Sequence, residues 1–183
     1  MMIERIKREH GYMVRLLAIL RHKLAVLKDE RSVNYGVLRE IVDYLANHSE
    51  RVHHPKEDIL YHHYLTHYGH HKEIDNLELE HKTLSEQTHE FLNIVDMVLQ
   101  DAVVPQSLFI EHLESFLNAQ KNHLEMEEKH IFPYLMETFT TKDWQIVEEQ
   151  WTVCDDDPVF GETIAEQYQQ IAQRVHQNAH ESI

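Results

Sequence analysis

Cysteine is nearly absent from this 183-residue sequence: Cys154 is the only one. No intrachain disulfide can form, which points to a reducing compartment. The stretch around it, "TVCDDDP", is acidic. Acidic neighbours raise a thiol pKa rather than activate it, so Cys154 reads as incidental. Glycine and proline are also scarce, with four of each. Few breakers mean few loops and long elements. No apolar run approaches the roughly 18 residues of a membrane span. The first residues, "MMIERIKREHGYM", lack the apolar core of a signal peptide. A cytoplasmic protein is expected. Cations are in the minority, 17 against 32 acids, for a formal charge of −15. Phosphate backbones are bound mainly by cations, and anionic membrane surfaces attract them. Neither nucleic acid nor membrane is an expected partner.

Histidine is what the chain has in excess, with 17 copies. Hydrophobic residues make up 42%, enough for one domain with a sizeable core. They recur at helical spacing almost throughout. The stripes run through Ile3, Ile6, Met13, Leu17, Leu20, Leu24 and Leu27, then through Leu38, Ile41, Leu45, Val52, Leu60 and Tyr64. A third runs from Leu77 to Val98, and a fourth from Phe109 to Leu135. Turns are expected at 28–34, at 67–71 around Gly69, and at 100–107, where Pro105 suits the start of a helix. Short connections force antiparallel neighbours. The expected fold is therefore all-α, an up-down-up-down antiparallel four-helix bundle over residues 1–138. Residues 139–183 form a helical extension. Its face of Ile164, Tyr168, Ile171 and Val175 should dock on the bundle or on a second subunit, giving a homodimer.

Two segments share a pattern: His53-x-x-x-Glu57 and His123-x-x-x-Glu127. On a helix, residues four apart share a face, so imidazole and carboxylate there can grip one metal or two adjacent ones. Each pair interrupts an apolar stripe. A core-facing carboxylate is costly unless paired or metal-bound. His10 and His81 sit singly on the other two stripes. His10 and His53 are centred on about residue 31, the second motif and His81 on about 68, and His81 and the fourth motif on about 103. All three midpoints fall in expected turns. The four positions should therefore meet at one height, within about a helical turn of 5 Å.

Spacing alone leaves alternatives open. Glu-x-x-His, the motif of ferritin-like di-iron carboxylate oxidases, occurs at Glu50/His53, Glu78/His81, Glu86/His89 and Glu127/His130. The short 67–71 connection argues against the ferritin topology. A zinc hydrolase needs three ligands and an open water position. A metal-free scaffold must account for carboxylates in core stripes. The cluster "YHHYLTHYGHH" (61–71) reads as a solvated turn, and His48 reads as a surface residue. His112 and His130 lie near the core face and could back the ligands, and Tyr12, Tyr61 and Tyr134 could point near them.

The stretch "ERVHHPKEDILYHH" (50–63) holds paired histidines around a proline. At about 100° per residue, His54 turns away from the stripe and His53 lies near it. Pro55 reads as a kink that aims His53 and Glu57 at one point. His53 and Glu57 are then the metal-facing pair, and His54 and Asp58 are not.

The order H … HxxxE … H … HxxxE, with "HHPKEDILY" and "HLEMEEKHIFPYL", resembles the hemerythrin family in its bacterial HHE cation-binding branch, over residues 1 to about 138. The resemblance implies metal ligands at His10, His53, Glu57, His81, His123 and Glu127. It implies two iron ions, a non-haem di-iron centre bridged by both carboxylates and an oxo or hydroxo group. It implies a small ligand such as O₂, NO or peroxide, with roles in sensing, stress protection or iron handling. Oxygen carriers of the family carry a further histidine four residues after the third-helix one, and Ser85 stands there here. The fourth-helix carboxylate is also a glutamate at i+4 rather than an aspartate at i+5. Two octahedral irons then keep about two open positions, which favours reaction or exchange over reversible O₂ carriage. Relatives that repair iron–sulfur clusters often carry a cysteine-bearing domain ahead of the bundle, and helix 1 begins this sequence directly.

Overall fold

A computed structural model describes residues 1–151 and 156–180. Cys154 lies outside the described residues. Among these the protein is helical, with no strand. The helices are α1 (Met2–Lys28), α2 (Tyr35–Asp43), α3 (His54–His67), α4 (Leu77–Leu99), α5 (Gln106–Met126), α6 (Phe132–Thr138), α7 (Thr141–Gln150) and α8 (Gln169–His180). No described helix is long and apolar enough to cross a membrane.

Local chemistry sets the boundaries. Asn34 precedes α2 and accepts a hydrogen bond from the Val37 N–H at 3.2 Å, which satisfies an otherwise orphan donor. Gly69 follows α3 with φ of +90°, a conformation glycine adopts at little cost. Thr140 and Asp143 cap α7 reciprocally.

Two stretches are wound more widely than an α-helix. Tyr44–His53 joins α2 to α3, and Glu127–Ile131 joins α5 to α6, both as π-helix. The His54 N–H bonds to Ser49 O, and the Phe132 N–H to Glu127 O, five residues back in each case. Each segment ends two residues before a proline, Pro55 or Pro133. A proline ring clashes with the carbonyl four residues earlier. The wider turn relieves that clash and keeps the helical run going.

α1 packs on α5, α5 on α4, α4 on α2, and α2 on α1. The apolar core between them falls into two clusters. One gathers Leu16, Leu20, Leu38, Ile41, Phe91, Phe109 and Leu113, and the other Ile3, Ile6, Leu60, Leu77, Ile131 and Leu135. Along the chain the clusters alternate. α1 runs from the second to the first, the α2–α3 run from first to second, α4 back again, and the α5–α6 run returns. Leu38 and Leu113 are wholly buried, so truncating either to alanine should cost about 2–5 kcal/mol.

The extension docks on its own chain. α7 lies on α3, and α8 lies on α2. Ile171 and Val175 are buried there, the Ile171 N–H donates to Glu40 at 2.9 Å, and the Tyr168 hydroxyl donates to Asp43 at 2.7 Å.

Candidate metal centre

Between the two apolar clusters lies a polar layer. It contains His10, His53, Glu57, His81, His123 and Glu127, each less than a tenth exposed. The structure brings all six together. Glu57 Oε1 is 2.9 Å from His10 Nε2 and 3.0 Å from His53 Nε2, and Glu57 Oε2 is 3.5 Å from His81 Nε2. Glu127 Oε1 lies 3.4 Å from His81 Nε2. Its Oε2 lies 3.3 Å from His123 Nε2 and 3.5 Å from His10 Nε2. All four imidazoles thus aim Nε2 at the same two carboxylates.

Outer carboxylates hold three of these rings by the other nitrogen. Nδ1 of His10 meets Glu128 at 2.9 Å, that of His53 meets Glu9 at 2.8 Å, and that of His81 meets Asp58 at 2.8 Å. Glu9 is itself anchored by the buried Lys56 and by Arg5. The Tyr61 hydroxyl donates to Glu127 at 2.6 Å. Such partners fix the tautomer and ring orientation of metal-binding histidines. Sequence reasoning missed Glu9, Asp58 and Glu128 in this role. The signal was there: each adjoins a candidate ligand in sequence.

Four buried polar atoms in the layer have no hydrogen-bond partner among the described residues: Nε2 of His53, Nε2 of His123, Oε2 of Glu57 and Oε2 of Glu127. A buried polar atom left unpaired costs about 1–3 kcal/mol. Lone pairs of imidazole and carboxylate directed at one point are the donor set of a transition-metal cation. The donors fall into two groups, each with its ligand atoms within 4.8 Å of one another: His10, His53 and Glu57, and His54, Glu57, His81 and His123. Glu57 belongs to both.

His54 departs from the sequence expectation. Its ring does not turn away. It stacks on His81 with centroids 4.3 Å apart and planes 8° apart, and meets His123 edge-on at 5.9 Å. The reason is the π-helical stretch that ends at His53. Wider winding advances each residue by less than 100°, so two consecutive side chains both reach the interior. The wide turn, with Pro55 just beyond it, reorients the run where the sequence suggested a proline kink alone. Asp58 is turned outward but touches His81.

Other expectations also shift. His112 and His130 are exposed and lie outside the centre. Tyr12 stacks on Phe160, and Tyr134 hydrogen-bonds Tyr64, so of the three tyrosines Tyr61 is the one at the carboxylates. His63 is buried rather than solvated, because Asp143 of α7 holds it at 2.8 Å. His48 is half-buried and stacks on Tyr44.

Charge within the layer is balanced by proximity. Burial pushes the His10 ring down, but Glu128 and Glu57 overcome it and raise it to about 10. His81 also reaches about 10, burial again being outweighed by Asp58 and Glu127. Burial raises the Glu9 carboxyl, and His53 and Lys56 outweigh it, taking it down to about 2. Burial would also raise Glu57, yet His53 and His10 hold it well below the usual carboxylate range. His54 and His123 move the other way, depressed by burial and by neighbouring imidazoles.

One side of the layer opens to the surface. A cleft between α4 and α5, lined by Leu79, Thr83, Leu84, Ala119 and Met126, reaches His123.

No curated protein and no solved structure matches the chain. The model of the hemerythrin HHE cation-binding domain matches residues 1–135, which include the whole polar layer. With most of its length matched, and with imidazole and carboxylate donors converging in its core, the chain belongs to the hemerythrin HHE cation-binding domain family.

Proposed function

We propose that this protein holds a non-haem di-iron centre and uses it to bind O₂, NO or a related small oxidant, in sensing, stress protection or iron handling. The observation that carries the reading is the set of unpaired buried donors on His53, His123, Glu57 and Glu127. His10 and His53 would hold one metal and His81 and His123 the other, with Glu57 and Glu127 available to both. When bound, two irons supply electrons to, or an open coordination site for, a small oxidant. The chain supplies the rest. Glu9, Asp58 and Glu128 hold the rings with Nε2 directed inward. Tyr61 keeps a proton next to Glu127. The two apolar clusters exclude water above and below. The α4–α5 cleft admits a small molecule from the His123 side.

The alternation of clusters along the chain and the ring of packed neighbours support an up-down-up-down four-helix bundle, with residues 139–183 as a buttress on its α2–α3 face. The test is metal content. Protein purified from iron-replete cells should carry about two irons per chain and absorb in the near-ultraviolet as a bridged pair does. Absence of bound metal refutes the reading, and a single zinc replaces it with a hydrolase-type site. Exposing the reduced protein to O₂ then separates binding, seen as a spectral change that reverses when the gas is removed, from catalysis, seen as continued consumption of reductant.

A further inference from the structure

His54 is half-buried at the edge of the polar layer and adjoins a candidate ligand; like His123, it has no hydrogen-bond partner at either ring nitrogen among the described residues. Its donor lies within 4.8 Å of those of Glu57, His81 and His123. Those are the residues around the second metal position. Its ring stands flat against His81 and edge-on to His123. It reaches them because the π-helical stretch Tyr44–His53 turns residues 53 and 54 inward together. His53 meets Glu57 beside His10, while His54 groups with His81 and His123 around the same carboxylate.

We propose that His54 is a ligand of the second metal position, alongside His81 and His123. The inference rests on the two-metal reading above and refines it. The two positions are then unlike: two imidazoles at the first, three at the second. A third imidazole favours softer, imidazole-preferring divalent ions over hard ones such as magnesium, and it fills one of the coordination positions otherwise left to solvent or ligand.

The test is anaerobic titration of the full chain with ferrous iron, competing against a chelator, for wild type, His54→Ala and His54→Phe. Phenylalanine keeps a flat ring against His81 but offers no nitrogen. Circular dichroism checks that each variant remains helical. In the wild type two equivalents should bind. In both variants the first should bind unchanged and the second should weaken about tenfold or more. Millimolar imidazole should restore the second equivalent to His54→Ala, because it returns the missing donor. Should His54→Phe fail to fold, the imidazole response of His54→Ala decides. Two equivalents at unchanged affinity in His54→Ala would overturn the assignment of His54 while leaving the two-metal reading intact. A wild type that binds no iron would overturn both.

Discussion

The two HxxxE motifs share a spacing but not their surroundings. Around the first, His53 is braced through Nδ1 by Glu9, and Glu9 in turn by the buried Lys56. Around the second, no side chain among the described residues reaches Nδ1 of His123, and the α4–α5 cleft opens beside it. The preceding wide-turn stretch is ten residues long in the first case, whereas the second motif's Glu127 itself begins a stretch of five. The difference suggests a division of labour within one layer. The first side is built for fixed geometry, and the second for exchange. Glu57, which belongs to both donor groups, links the two.

The largest effect should come from Glu57, which serves both donor groups. Glu57→Ala should abolish binding of both metals, read as metal per chain. The metal-free variant should also lose about 3–5 kcal/mol in denaturant unfolding, because His10 and His53 keep buried charge without its partner. His123→Ala should be more selective, losing one metal of two while its helical content stays as in wild type. Loss of both would mean the two sides are not separable. Glu9→Gln should weaken the first position about 10- to 100-fold through the ring of His53, leaving the second unchanged in the same titration.

Acidity should separate metal binding from stability. His10 and His81 titrate near 10 in the folded metal-free chain against 6.5 ordinarily. Their contribution to metal-free stability is fully present below pH 6.5 and is lost as pH rises towards 10. Metal uptake must displace those protons. Affinity should therefore rise about tenfold per pH unit for each proton released, while the metal-free protein grows less stable over the same range. Glu9, lowered to about 2, contributes stability that is present above pH 4.5 and fades as pH falls through 2. Chelator competition and urea unfolding across pH 5–9 check the histidine signs, and urea unfolding from pH 5 down to 2 checks that of Glu9. The smallest effect should be that of Asp58→Asn, under about tenfold in second-site affinity, since Asp58 is partly exposed and amide oxygen still accepts from His81.

Much of the layer was legible because each helix carries a polar interruption in an apolar stripe. His10, His53, Glu57, His81, His123 and Glu127 stand out that way, and antiparallel counting from the turns brings them to one height. The orientation of His54 was not legible. Fixed rotation of 100° per residue assumes uniform α-helix, and a π-helical stretch breaks that assumption without an apolar signature of its own. Proline two residues beyond each wide turn, at 55 and 133, is the one local mark. The outer carboxylates were hidden for a different reason. Whether Glu9 or Glu128 meets a particular ring depends on the azimuths of several helices at once. His63 looked solvated because its partner, Asp143, lies 80 residues away on α7.

The most direct measurement is anomalous diffraction at the iron edge from crystals of the iron-loaded chain. Two peaks flanking Glu57, one beside His10 and His53 and the other beside His81, His123 and His54, are expected. A single peak, or peaks away from this carboxylate, would contradict the two-metal centre.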